Sequence, residues 1–163
     1  IEPWATVGKP PERERNIITS LHMLSEQMEE VNIHLQNKYK QMDEELMFEK
    51  VDCDDADYIL IGYGLVARIC VKAAQLAREK GIKVGVFRPI TLFPFPNKEL
   101  NELGKKVKGF LDVEMNAGQM VEDVRLSVNG TAKVAFHGRM GGIIPSPEEI
   151  LAKLEEKIAG GEL

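Results

Sequence analysis

The front part of the chain carries apolar residues at a helical period. Between residues 12 and 46 they recur every three or four positions, among Glu, Lys, Arg, Gln and Asn. This spacing puts them on one face and predicts a helix over residues 12–46, with Pro11 at its start. At about 1.5 Å per residue the helix would be roughly 50 Å long, which favours a connector to another domain or subunit over an arm on its own domain. The apolar stripe consists of Ile17, Leu21, Leu24, Met28, Val31, Leu35, Tyr39, Met42 and Leu46.

After this segment, short apolar runs alternate with helical segments, as is typical of a sheet with helices on its faces. Strands joined by helical crossovers run parallel, because each right-handed crossover returns the chain to the same end of the sheet. Only a short turn follows the first strand, so this strand is antiparallel to the next one or lies at an edge. Asn97 and Ser146 are the predicted N-caps of two helices. Strands are predicted at residues 46–51, 58–61, 83–88, 109–114 and 133–137, and helices at 65–80, 97–107, 117–128 and 147–159.

The composition is that of a folded, soluble protein with one core. The chain has 163 residues, of which 44% are hydrophobic and 29% charged, and a net charge of −5. The acidic balance and the lack of a basic stripe exclude non-specific nucleic-acid binding, and no apolar run approaches the roughly 20 residues of a membrane span. The start at Ile1, without Met or a signal-peptide pattern, predicts a piece of a longer protein. Nothing in the cysteine usage suggests an oxidising compartment, so the expected location is the cytoplasm. We divide it into a tail and connector helix at residues 1–46 and an α/β domain at residues 47–163.

The two cysteines, Cys53 and Cys70, stand apart from each other and from any histidine. A zinc or iron–sulfur site needs several such ligands at short spacing. The sequence therefore predicts no metal site in this chain, and it predicts that Cys70, on an apolar helix face, is buried. No Ser-His-Asp set, paired-carboxylate motif or H-E-x-x-H motif occurs, so we assign no catalytic residue.

Polar residues follow several of the predicted strands at the point where each strand ends. Ligands of open α/β sheets bind beyond the carboxyl ends of the strands, so these residues are expected to lie close together. A structural salt bridge between Arg88 and Glu114 is one interpretation of this edge, and the glycine-rich loop around Arg139 could hold an anion. The candidate residues for a contact at the rim of the site or with a partner are Arg88, Glu114, Asn116, Gln119, His137 and Arg139.

Gly62, Gly64 and Ala67 match the G-x-G-x-x-A form of a dinucleotide-binding fingerprint. A tight turn from a strand into a helix explains the two glycines equally well. The next strand ends in Arg88 where an acid that binds ribose is expected, and no catalytic partner set accompanies an NADP site. A nucleotide-binding module therefore stays as the alternative from another functional class.

Several stretches together resemble the transketolase C-terminal-like domain, in the form found in the α subunit of 2-oxoacid:ferredoxin oxidoreductases. The resemblance covers the whole chain, since the helix after residue 12 is similar to the connector from the family's preceding domain. The most specific stretch is similar to the branched-chain, or 2-oxoisovalerate, type more than to the pyruvate type. The stretches are D-Y-I-L-I-G-Y-G at 57–64, R-P-I-T-L-F-P-F-P at 88–96, E-M-N-A-G-Q-M-V-E-D-V-R at 114–125, H-G-R-M-G-G at 137–142 and P-S-P-E-E at 145–149.

The resemblance implies a five-stranded, mostly parallel sheet between two helical layers, with an antiparallel first strand. It also implies a reaction of the whole complex: oxidative decarboxylation of a 2-oxoacid to an acyl-CoA, with reduction of ferredoxin. Thiamine diphosphate, magnesium and iron–sulfur clusters are expected in that complex and none of them in this chain. The implied partners are the other domains and subunits, with ferredoxin and coenzyme A for the complex as a whole, and the chain alone is expected to be inactive.

The resemblance leaves alternatives open. The chain could be the equivalent domain of a 2-oxoglutarate or pyruvate:ferredoxin oxidoreductase. It could also come from another thiamine enzyme, a transketolase or the E1β chain of a 2-oxoacid dehydrogenase. The long helix disfavours transketolase, because that family reaches this domain through a different connector.

Overall fold

The computed structural model describes residues 8–9, 11–14, 17 and 19–163. The chain divides into two compact units, Ile1–Gln41 and Met42–Leu163. Most of the tail predicted for residues 1–9 lies outside the described residues. The division at residue 46 into a connector and a domain stays a prediction.

The helix of the first unit is shorter than the apolar period suggests. Helix α1 spans Ser25–Gln41, about 25 Å at 1.5 Å per residue, and none of its residues is buried. The predicted start at residue 12 is wrong, because the described residues between 11 and 24 are not helical. The hydroxyl of Thr19 accepts a hydrogen bond from the backbone N–H of Leu21 at 3.2 Å. Such a local bond competes with helical hydrogen bonding, so the period of three and four continues further than the helix does.

The second unit contains a five-stranded sheet in the order β1-β3-β2-β4-β5. Strands β2 to β5 are parallel, and β1 pairs with β3 in the antiparallel sense at one edge. The prediction of a mostly parallel sheet with an antiparallel first strand is confirmed. A short 3-10 helix, Met42–Glu45, leads into the sheet. The strands are β1 Phe48–Val51, β2 Tyr58–Ile61, β3 Val84–Pro89, β4 Gly109–Glu114 and β5 Lys133–Gly138.

Helices cover both faces of this sheet. Helix α2, Gly64–Glu79, packs beside α5, Pro147–Ala159, and α3, Asn97–Gly104, packs beside α4, Met120–Val128. Alternate strand residues point to the two faces, so the central strands are apolar almost throughout. One core cluster includes Leu60, Val86, Leu111, Cys70 and Leu154, and the other includes Ile61, Phe87, Phe110, Leu100 and Val124.

The helix starts differ in how well the sequence predicts them. Ser146 caps α5 as predicted, and its hydroxyl accepts the backbone N–H of Glu149 at 3.1 Å. Asn97 is not the cap of α3, because Pro96 occupies that position and the side-chain oxygen of Asn97 instead accepts the hydroxyl of Ser127 at 2.6 Å.

No described helix is long and apolar enough to cross a membrane.

The order of the strands creates a switch point between β2 and β4. Helix α2 leaves the end of β2 toward one face of the sheet, and α4 leaves the end of the neighbouring strand β4 toward the other. Helices that diverge in this way leave a crevice at the carboxyl ends of the two strands, where ligands of open α/β sheets bind. The crevice is the natural place to look for a functional site.

Candidate functional site

The predicted site residues lie at one edge of the sheet. Arg88 is near the end of β3, Glu114 is the last residue of β4, and His137 is near the end of β5. These strands are parallel and β2 lies between β3 and β4. The polar residues at the strand ends therefore lie at one edge of the sheet, as expected from the sequence. Their role in contacts at the rim stays a prediction.

Glu114 is fully buried, and its carboxylate accepts hydrogen bonds from the backbone N–H groups at the start of α4. One oxygen accepts the backbone N–H groups of Gln119 and Val121 at 3.1 and 3.0 Å, and the other accepts that of Met120 at 3.0 Å. These are donors that have no partner within the helix, and a negative charge is favoured beside them by the helix dipole. This arrangement explains why α4 begins at Met120 and not at residue 117 as predicted. Because Glu114 is buried, a contact at the rim would be made by exposed residues near it, such as Gln119.

Asn116 joins the ends of β2 and β4 across the crevice. Its side-chain N–H₂ donates to Glu114 at 2.9 Å and to the Tyr63 hydroxyl at 3.4 Å, and its side-chain oxygen accepts the N–H of Gly118 at 2.7 Å. Gly118 has φ of +106°, a conformation that favours glycine. The crevice is thus closed by a polar network rather than left open for a nucleotide phosphate.

A small cavity of about 180 Å³ lies beside this network. Gln119, a predicted site residue, lines this cavity, and its backbone N–H donates to Glu114. The other lining residues are mostly apolar or aromatic, as in ligand pockets, although the volume is below the range of roughly 300–1,000 Å³ typical of them. They are Tyr63, Leu92, Phe95, Met120 and Asp123.

Asp112 is a buried titratable residue that the sequence reasoning missed. It is fully buried on β4, and neither carboxylate oxygen has a hydrogen-bond partner among the described residues. Burial, and then the charge of Glu114, raise the pKa of Asp112 to about 8. Residues two apart on a strand share a face, so two acids at this spacing in an apolar strand were the signal available in the sequence.

The predicted salt bridge between Arg88 and Glu114 is wrong. Strand β2 separates the two residues, and Arg88 pairs with Glu49 on the antiparallel edge strand at 3.2 Å. Glu49 and Arg88 are partners in the register of β1 and β3. The position of β1 in the sheet therefore decides the partner of Arg88.

His137 and Arg139 gather around a carboxylate of α5. The Nε2 atom of His137 lies 2.8 Å from Oε1 of Glu149, and Nε of Arg139 lies 3.5 Å from the same oxygen. The backbone N–H of Arg139 donates to the carbonyl of Glu114 at 3.0 Å. The glycine-rich loop is thereby fastened to β4 and α5, and its cation already faces an anion of the chain.

The fingerprint glycines are explained by the turn between β2 and α2. Gly64 has φ of +55°, and a Cβ at Gly62 would lie 3.2 Å from the carbonyl oxygen of Val113 and 3.1 Å from Val66. Both positions therefore favour glycine for steric reasons without any bound ligand.

The described residues do not fit an iron–sulfur cluster or another metal. Within them, no group of three or more His, Cys, Asp or Glu could hold a metal ion. Cys53 and Cys70 are buried free thiols, and burial raises the pKa of both, to about 11 for Cys53. The Cys53 thiol donates to the carbonyl of Val86 at 3.2 Å. Metal and cluster ligation uses the thiolate, and the raised pKa values favour the protonated thiol at both cysteines.

The chain is similar to subunits of 2-oxoacid oxidoreductases. It is 40% identical over 158 residues to ketoisovalerate oxidoreductase subunit VorB of Methanothermobacter marburgensis. This match covers 96% of this chain and 44% of that protein. It is 39% identical over 101 residues to 2-oxoglutarate synthase subunit KorA of the same organism, covering 62% of this chain and 27% of that protein. The chain thus spans less than half the length of these relatives.

A solved structure shares the fold. The 2-oxoglutarate:ferredoxin oxidoreductase from Magnetococcus marinus, with 2-oxoglutarate, coenzyme A and succinyl-CoA bound, superposes with a TM-score of 0.59 at 23% identity. The likeness covers 82% of this chain and 23% of that one. Residues 56–150, more than half of this chain, match the family described as pyruvate:ferredoxin oxidoreductase core domain II. The switch-point fold and this match agree, and the chain belongs to the pyruvate:ferredoxin oxidoreductase core domain II family.

Proposed function

We propose that this chain is an assembly domain in the α subunit of a 2-oxoacid:ferredoxin oxidoreductase of the 2-oxoisovalerate type. The complete complex would oxidatively decarboxylate 2-oxoisovalerate to an acyl-CoA and pass the electrons to ferredoxin. The observation that carries the proposal is the similarity to VorB, which extends over 96% of the chain, including the segment before the sheet.

The geometry of the crevice supports a structural role within the complex. The polar side chains that gather there are engaged with one another: Glu114 holds α4, Asn116 joins two strand ends, and His137 faces Glu149. A catalytic group needs a free donor or acceptor that can reach a substrate. We therefore assign the chemistry to other parts of the complex and a scaffolding role to this chain.

The cofactors follow the same division. Thiamine diphosphate, magnesium and iron–sulfur clusters would be held by the rest of the complex, because the described residues offer no metal-binding group. Coenzyme A and ferredoxin would be partners of the complex and not of this chain alone. A cytoplasmic location and the connector role of residues 1–46 are parts of the same proposal.

The substrate preference is the sharpest test of this proposal. The complex assembled with the complete subunit should convert 2-oxoisovalerate with a kcat/KM at least about tenfold higher than for 2-oxoglutarate or pyruvate, since a pocket shaped for a branched chain discriminates by about that much. The measurement is acyl-CoA formation coupled to ferredoxin reduction. A preference for 2-oxoglutarate would support the second candidate, to which the similarity to KorA points.

The isolated chain provides the matched control. It should show no turnover with any of the three 2-oxoacids, and titration calorimetry should detect no tight binding of NADP or thiamine diphosphate. Turnover by the isolated chain, or submicromolar binding of either cofactor, would defeat the assembly role and favour the nucleotide-binding or thiamine-binding alternative.

A further inference from the structure

Three adjoining cavities form a groove beside α3 and α4 of the second unit. The cavity of about 180 Å³ at the switch point shares Leu92, Phe95 and Asp123 with one of about 340 Å³. A third, of about 250 Å³, shares Asp43, Phe95 and Asn97 with the second. We call the second cavity with its two neighbours the α4 groove. It runs from the crevice to the 3-10 helix before β1.

The walls of the α4 groove carry exposed large apolar side chains among polar ones. Leu126 of α4 is 75% exposed, and Leu92 and Phe93 of the loop after β3 are 47% and 61% exposed. Large apolar side chains gathered at one place on a surface mark an interaction site more often than single ones do. A small molecule would be poorly enclosed by walls so accessible to solvent, whereas an extended protein segment would cover them.

Hydrogen bonds between α3 and α4 hold the two helices together beside the groove. The hydroxyl of Ser127 on α4 donates to the Asn97 side chain at 2.6 Å. The side-chain amide of Asn101 on α3 donates to the carbonyls of Ser127 and Val128, each at 3.3 Å. Pro94 in the loop between the walls is buried. A preformed groove binds a partner without the entropic cost of ordering its walls.

Among the described residues, no cationic side chain lines the second cavity, whereas Lys98 and Glu99 line the third cavity together with Asp43. Two carboxylates flank the apolar strip of the second cavity. They belong to Asp43 and Asp123, and neither forms an ion pair with another described residue. A partner that covers them without supplying a cation would bury unpaired charges, which is strongly unfavourable. A second copy of this chain would present the same acidic surface across a two-fold axis, so the charges argue against self-association here.

We propose that the α4 groove docks a segment of another part of the oxidoreductase complex, one that carries a bulky apolar side chain next to Lys or Arg. The apolar side chain packs between Leu92 and Leu126, and the cations pair with Asp43 and Asp123. The identity of the partner rests on the proposed function, whereas the chemistry of the segment rests on the groove alone.

Photocrosslinking in the assembled complex tests the docking. Leu126 is replaced by p-benzoylphenylalanine in the complete subunit, the purified complex is irradiated, and the crosslinked peptide is identified by mass spectrometry. We expect a segment of another domain or subunit with Lys or Arg within two residues of the crosslinked apolar position. The same replacement at Gln75, which is exposed on α2 on the opposite face of the sheet, should not capture that segment.

Charge reversal tests the complementarity. Asp123→Lys should weaken the affinity of the subunit for the partner that carries the segment at least about tenfold. Lys→Glu or Arg→Glu in the crosslinked segment should restore that affinity. The matched control is Glu122→Lys, which changes an exposed acid of the same helical turn outside the cavity lining and should have no such effect. Circular dichroism of each variant checks that it is folded.

The outcomes separate this inference from the proposed function. Absence of a crosslink from Leu126, a captured segment without a cation, or equal effects of Asp123→Lys and Glu122→Lys would each refute the docking proposal even in an active oxidoreductase. Capture of a basic apolar segment with reciprocal rescue, in a complex that oxidises no 2-oxoacid, would uphold the groove and refute the proposed function.

Discussion

At the scale of single residues, the second unit contains two buried carboxyl groups with opposite surroundings. Glu114 accepts three backbone N–H groups and one side-chain amide, whereas Asp112, two positions earlier on the same strand face, has no partner among the described residues. Hydrogen bonds to a carboxylate favour its charged form, and burial without them favours the neutral form. Asp112 is therefore expected to hold its proton near neutral pH.

Asp112 should make the stability of the protein depend on pH. Its pKa is about 8 in the folded state and about 3.9 in an unfolded chain, so between these values only the folded state holds the proton. The free energy of unfolding should therefore fall as pH rises, by up to about 1.4 kcal/mol per pH unit, and level off above about pH 8. Asp112→Asn should flatten this slope in urea unfolding measured between pH 5 and 9.

The control for this measurement is Asp54→Asn, at an exposed position. It should leave the slope of stability against pH unchanged. An Asp112→Asn variant with the slope of the original chain would show that Asp112 is not the group that holds the proton.

At the scale of secondary-structure elements, helix starts depend on which group receives their free N–H donors. A hydroxyl one position before the helix serves α5, which the sequence predicts from the S-P-E-E pattern. A carboxylate from the preceding strand serves α4, and this partner is invisible in any window of local sequence. Asn97 illustrates the reverse error, because a residue suited to capping bonds to Ser127 on another helix.

Glu114→Gln should destabilise the protein by about 3 kcal/mol. The amide removes the charge beside the α4 donors and places an N–H₂ group where acceptors are needed. Hydrogen exchange of the amides of Gln119, Met120 and Val121 should accelerate together with the loss of stability. Glu122→Gln, in the exposed first turn of the same helix, should change stability by less than about 0.5 kcal/mol. Equal effects of the two changes would contradict the capping role.

Ser146→Ala should cost about 1 kcal/mol, since it removes the side-chain acceptor for the N–H of Glu149. Thermal unfolding measures this cost, with the exposed Ser20→Ala as the matched change outside any cap. A cost below that of the control would mean that α5 starts without help from this hydroxyl.

At the scale of the whole molecule, the sheet order explains both the closed crevice and the groove next to it. The switch between β2 and β4 brings Tyr63 and Asn116 together, and the loop after β3 lines a cavity together with α4. Glu114, Asn116 and His137 bond to neighbouring groups at the edge, whereas the buried Nε of Arg88 has no hydrogen-bond partner among the described residues. Apolar and acidic groups remain exposed beside them. Such a distribution suits a domain that works through its contacts with partners.

Local sequence patterns determined the strands, most helices and the parallel sense of the sheet, because period and crossover length are properties of neighbouring residues. They also placed the polar residues at one edge, since strand ends are readable from the sequence. Tertiary structure alone decided that Arg88 pairs with Glu49 and that Glu114 caps α4, because strand order and burial arise from residues far apart in the chain. The start of α1 is a local matter that the apolar period misses, because the hydroxyl of Thr19 accepts the backbone N–H of Leu21 just before the helix.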